Sequence, residues 1–189
     1  MAKTKTLGSG EIHAALDRLA AAISARHPSA EKLVLLGIAN GGIELARRLS
    51  ARLSALNPLR SAPVGTLDIS FHRDDIGHNP IPKEFAPTHI PFDVNKATVI
   101  LVDDVLFSGR TVKAALNELF DHGHPAKVEL AVLADRGGRR LPVAADYVGF
   151  DLPVNEGEKV VVRLDPADSV RDALCVEAVA TSQKFTATN

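Results

Sequence analysis

The chain has 189 residues, of which 46% are hydrophobic and 24% charged, a balance that fits one globular domain and excludes a disordered one. Its net charge of −1 excludes a global basic field for nucleic acid, so any such binding would need a local patch. A single cysteine, Cys175, excludes an internal disulfide framework. No apolar run reaches the length of a membrane span, and the basic start MAKTKTLGSG lacks a signal peptide's apolar segment. The expectation is a cytoplasmic protein with no membrane partner.

Ile12, Leu16, Leu19 and Ile23 recur at helical spacing, which predicts a helix over 10–26 with Ser9 as its N-cap. KLVLLGI (32–38) reads as a buried strand, and ANGG leads into a helix carrying Ile43, Ala46, Leu49 and Leu53. VGTLDISF (64–71) alternates, with Leu67, Ile69 and Phe71 on one face and Asp68 and Ser70 on the other. The segment from His72 to Pro91 holds Pro80, Pro82, Pro87 and Pro91 and no periodicity, as a functional lid or an irregular loop would. ATVILV (97–102) is the clearest buried strand. A helix is expected from Val112 to His122, with Val112, Leu116, Leu119 and Phe120 inward and Gly123 as its stop. KVELAVLA (127–134), DYVGF and KVVVRL read as further strands.

No repeat or linker divides the chain, so one domain over 1–180 is expected, with a mobile tail at 181–189. The order of elements predicts an α/β fold with a mostly parallel central sheet flanked by helices. In such a fold ligands bind at the carboxyl ends of the strands.

That rule directs attention to VILVDDVLFSGRT (99–111). Asp103 and Asp104 stand where the strand should end. Side chains alternate along a strand, so the two can address separate groups, such as neighbouring sugar hydroxyls, directly or through a metal's waters. Ser108 and Thr111 add hydroxyls, Gly109 permits close approach, and the following helix start favours an anion. Acids beside a phosphate cradle describe a site for a sugar phosphate. A plain turn with Thr111 as N-cap explains a lone pair of aspartates, but not strand, acids, small-residue loop and helix within thirteen residues.

The stretch resembles the phosphoribosyl-diphosphate (PRPP) motif of the type I phosphoribosyltransferases. The resemblance implies their fold, with a small hood built from the N-terminal part and about 135–165, and a flexible loop. It implies that Asp103 and Asp104 contact the ribose and, through its hydroxyls or water, Mg²⁺. It also implies that Phe107, Ser108, Gly109, Arg110 and Thr111 wrap the 5′-phosphate. Phe107 stands where the 6-oxopurine enzymes carry an aspartate. The motif is similar instead to the DDVLYTGRT form of the bacterial pyrimidine-operon regulators with uracil phosphoribosyltransferase activity. GTLDISFHRDD (65–75), IPFDV (90–94), ELAVLADRGGRRLPVAADYVG (129–149) and EKVVVRLD (158–165) resemble that family in the same order.

Membership would imply transfer of phosphoribose from PRPP to uracil, giving UMP and pyrophosphate, in a homodimer or higher oligomer. Asp135 and Arg136 would face the base or pyrophosphate, and Tyr147 and Val148 would form a hood over uracil. Arg73 would neutralise the departing pyrophosphate, making it a catalytic residue with Asp103 and Asp104. Each has a plainer reading: Tyr147 as a core or edge aromatic, Arg136, Arg139 and Arg140 as a solvated basic turn, Arg73 as a surface residue. Ala39, Asn40 and Gly41 fall at the family's pyrophosphate loop, which usually reads RTRG; ANGG carries no cation. The alternatives that stay open are an RNA-binding regulator sensing uridine nucleotides or PRPP, a transferase for another nucleobase, and an inactive binding module.

Overall fold

Alternating short apolar segments and amphipathic helices assemble into two sheets of unequal size. The computed structural model describes residues 6–28, 32–58, 62–70 and 87–179. In chain order the elements are β1 (Thr6–Gly8), α1 (Ser9–Arg26), β2 (Leu33–Ile38), α2 (Gly41–Leu56), β3 (Val64–Leu67), β4 (Thr98–Leu106) and α3 (Arg110–His122). β5 (Lys127–Asp135), β6 (Tyr147–Asp151), β7 (Glu158–Arg163) and β8 (Ala173–Ala178) complete the chain. Arg73 and the 181–189 tail lie outside the described residues.

The large sheet has the order β3-β2-β4-β5-β6, and every neighbouring pair is parallel. Its central strands are buried on both faces, which is why they read as unbroken apolar runs rather than as alternation. One core joins α1 and α2 to Leu35, Ile100, Val102 and Leu133. The other sets α3, through Val112, Ala115 and Leu119, against Val99, Leu101 and Val132. The predicted α/β class with a mainly parallel sheet flanked by helices is the fold observed. The small sheet, β1-β8-β7, is antiparallel and joins the start of the chain to its end. It stands against the large sheet where β7 meets β4.

Several boundaries differ from expectation. Gly8 rather than Ser9 caps α1: the Gly8 N–H donates to Glu11 at 2.9 Å, while the Ser9 hydroxyl donates to the Ser169 carbonyl at 2.7 Å. β3 stops at Leu67, because Asp68 turns inward and accepts from the Ser70 N–H at 2.9 Å and its hydroxyl at 2.5 Å. α3 begins two residues earlier than predicted, at Arg110, and Phe120 is 48% exposed instead of inward. β4 runs on to Leu106. Its ladder with β5 continues through Asp103 and Val105, so both aspartates belong to the strand.

Candidate active site

β2 is flanked by β3 on one side and by β4 on the other, so the sheet changes direction between β2 and β4. In open parallel sheets that crevice, beyond the carboxyl ends, is the ligand position. Here it holds Ala39–Gly41 on one wall and Asp103–Thr111 on the other.

Asp103 is buried, and its Oδ1 accepts from the Asp104 N–H at 3.0 Å; Asp104 Oδ1 accepts from Val105 N–H at 2.8 Å. Burial, then the neighbouring Asp104 charge, holds the Asp103 carboxyl well above the usual carboxylate range, and burial raises Asp104 as well. Two carboxyls pushed upward together would be relieved by hydroxyl donors or by a cation. The Asp104 carboxylate lies where a Cβ on Gly41 would sit, and a Cβ on Gly42 would overlap the Val102 carbonyl. The ANGG loop therefore packs its glycine backbone directly against the acid pair. Its Ala39–Asn40 peptide is cis.

Beyond β4, Gly109 is the N-cap of α3 at φ 89°, a left-handed conformation that glycine adopts without penalty. Ser108 Oγ accepts from the Arg110 N–H at 3.3 Å. The first backbone N–H groups of α3 are thus presented beside the acids, a ready anion position.

The 107–109 turn is tied to the loop after β5. Ser108 O accepts from the N–H groups of Arg140 and Leu141, each at 3.0 Å. Arg139 Nη1 donates to the carbonyls of Leu106 at 3.2 Å and Phe107 at 2.6 Å, and Nε donates to Val143 O at 3.1 Å. Arg139 also pairs with Asp135, whose other oxygen accepts from Gly137 N–H at 2.9 Å. Arg139 is therefore an internal clamp, not part of a solvated turn, and Asp135 pairs within its own loop. Arg136 stacks on the Phe107 ring, its guanidinium carbon 3.9 Å from the centroid, with Nε buried and unpartnered. Phe107 stays 39% exposed, so an aromatic face and a cation border the crevice.

Tyr147 and Val148 are not brought here. Tyr147 opens β6 beside Ala131 with its side chain in the core that includes α1, its hydroxyl donating to Glu129 at 2.6 Å and Arg26 over its ring. Val148 shares a ladder level with Asp103 through Val132, but stands two strands away, roughly 10 Å. The separation is lateral rather than along the strands: β5 lies between β4 and β6. The element that does arrive is β7. The chain leading to it hydrogen-bonds along the carboxyl end of β5, Leu152 N–H to Asp135 O at 2.7 Å and Val154 N–H to Arg136 O at 3.2 Å. The valine run in KVVVRL marks β7 as a strand in sequence but says nothing of where the strand docks.

Among the described residues no group of three His, Cys, Asp or Glu side chains is placed to hold a metal. No described helix is long and apolar enough to cross a membrane.

A parallel sheet with an acid pair and a glycine-capped helix start at its switch point is the architecture of the phosphoribosyltransferase type. The phosphoribosyl transferase domain family matches residues 8–166. The bifunctional protein PyrR of Deinococcus deserti is 48% identical over 171 residues, 89% of this chain and 91% of that protein. PyrR of Roseiflexus sp. is 43% identical over 96% of this chain and all of its own length. Among solved structures, a hypoxanthine phosphoribosyltransferase of Trypanosoma cruzi aligns with TM-score 0.68 at 22% identity, covering 92% of this chain and 91% of that one. A hypoxanthine-guanine phosphoribosyltransferase of Bacillus anthracis gives 0.63 at 20% identity, over 79% and 84%. These two likenesses establish the fold. The chain belongs to the PyrR family of phosphoribosyltransferase-domain proteins.

Proposed function

We propose that this protein transfers the phosphoribosyl group of PRPP to uracil, releasing pyrophosphate and forming UMP. The observation that carries the reading is the crevice itself. Asp103 and Asp104 lie side by side at the switch point, between a glycine loop and the Gly109-capped start of α3. Asp103 and Asp104 would accept from the ribose hydroxyls. The backbone of Ser108–Thr111 would hold the 5′-phosphate, and the Ala39–Gly41 loop would face the pyrophosphate through the N–H groups of Asn40 and Gly41, the Ala39 N–H being held by the Leu67 carbonyl at 2.9 Å. The planar base would lie near Phe107 and Arg136, under β7. Phe107 gives no acceptor for the N7 of a purine, which favours the smaller ring.

Mg²⁺ fits this donor set. Two adjacent carboxylates with raised pKa values, and no third ligand among the described residues, suit an ion held mostly by substrate oxygens and water. Once bound, it would neutralise charge building on the leaving pyrophosphate. The protein's own share is positioning and electrostatics: it fixes the ribose against the acids, orients the phosphate on α3, and holds the base in line with the anomeric carbon.

The test is a panel of uracil, hypoxanthine, xanthine, guanine, adenine and orotate with PRPP and Mg²⁺, following pyrophosphate. Release with uracil alone is expected, and release with a purine but not uracil refutes the reading. The relatives are named bifunctional. An RNA contact of this chain is read by a salt-dependent gel shift with a pyrimidine-leader RNA, and no shift at low salt removes it. A homodimer or larger assembly in the cytoplasm completes the proposal; sedimentation measures the first.

A further inference from the structure

The small sheet is fastened to the rest of the molecule by an ion pair, buried at its Asp172 end, that the crevice does not use. Asp172, just before β8, has a fully buried side chain. Its Oδ2 pairs with Arg48 Nη1 and lies 3.3 Å from His13 Nε2, and its Oδ1 accepts from the Asp165 N–H at 3.0 Å. Arg48 Nη2 donates to the Asp165 carbonyl at 2.6 Å, and Nε donates to Glu44 at 2.8 Å. One guanidinium thus grips both ends of the segment joining β7 to β8.

A buried ion pair is a poor device for stability alone, since an apolar pair of equal volume does as well. What a planar fork with three fixed bonds supplies is a defined position. Arg48 sits on α2, the helix whose first residue, Gly41, lies against Asp104. The far strand of the small sheet, β7, comes against β4 beside the loop that holds Arg136. The small sheet is therefore registered to the helix that carries the pyrophosphate-side loop.

We propose that Arg48, through Asp172 and Asp165, is a positioning residue that sets how far β7 stands from the acid pair and so governs affinity for the base. The proposal rests on the reading that a base lies between β7 and the Phe107–Arg136 pair.

The variants are R48K, R48Q, D172N and the apolar pair R48M/D172L, with R47Q at an exposed neighbour as control. Calorimetry gives PRPP affinity without base; steady-state rates give kcat and the base KM. Base KM is expected to rise about tenfold in R48Q and R48M/D172L, with PRPP affinity within about twofold and R48K partly restored, as lost orientation predicts. R48M/D172L leaves no unpaired buried charge, so it keeps the test open if single variants unfold. A wild-type base KM in R48M/D172L, or a PRPP affinity that falls in step with it, overturns the proposal. Should the wild type bind PRPP yet turn over no base, the transferase reading fails on its own. Amide exchange then decides the clamp: faster exchange in β7 and β8 of R48M/D172L, with β2 and β4 unchanged, supports it, and unchanged β7 overturns it.

Discussion

Arg139 donates through Nη1 to the Phe107 carbonyl at 2.6 Å, and by that bond the loop after β5 supports the loop after β4. The two loops flank the crevice from different strands. Backbone bonds from Arg140 and Leu141 to the Ser108 carbonyl join them, and the Arg139 guanidinium, reaching Asp135 and three carbonyls, adds side-chain bonds to the same junction. R139A should lower kcat/KM by about 30-fold, the loss of about 2 kcal/mol of oriented hydrogen bonding. R139K should recover only part, because an ammonium cannot reproduce the fork. Steady-state kinetics with PRPP and base measures both.

The acid pair should show opposing effects on stability and binding. Asp103 is buried next to a like charge, which raises its folded-state pKa, so its ionised form costs stability once pH exceeds the ordinary carboxylate range. D103N should therefore raise stability by about 1 kcal/mol at neutral pH while lowering PRPP affinity at least about tenfold. Thermal melts and calorimetry read the two separately. A variant less stable than wild type at neutral pH would contradict the burial argument.

Gly41 has no room for a side chain, because a Cβ there would displace the Asp104 carboxylate. G41A should leave the fold standing, with a penalty of about 1–3 kcal/mol for overpacking. PRPP turnover should fall much further than stability. A G41A protein with wild-type turnover would show that Asp104 does not need its observed position.

At the far end of the sheet, burial pushes the Glu129 carboxyl up, but Lys127, Tyr147 and His27 outweigh it and hold the pKa at about 2, below the ordinary 4.5. A depressed carboxylate stabilises the fold above its unfolded pKa. The contribution should be lost as pH falls from about 4.5 toward about 2. E129Q should flatten that part of the acid-melting curve. Y147F should cost about 1 kcal/mol for one lost hydrogen bond and leave the base KM within about twofold. A large rise in KM would return Tyr147 to the base site.

The chain's local order made the class of fold and half of the crevice legible. VILVDDVLFSGRT is continuous, so strand, acids, turn and helix start arrive together wherever the strand is placed, and a parallel sheet puts its carboxyl end at the ligand position. ANGG is legible for the same reason, as a short turn between β2 and α2. Side-chain partners were less legible. Tyr147 looks like a hood residue in sequence, yet the ladder with β5 sets it beside Ala131 and leaves its hydroxyl on Glu129. Asp135 looks free until Arg139, four residues on, folds back onto it.

What the sequence alone determined, then, is what neighbours in the chain can build: the paired acids, the helix start after Gly109 and the glycine loop. Tertiary structure decided which distant groups meet them. Arg136 on Phe107, Arg139 on the Phe107 carbonyl and Arg48 on Asp172 join residues from about thirty to more than a hundred positions apart. Such contacts follow from how strands align and helices pack, and no local pattern encodes the partner.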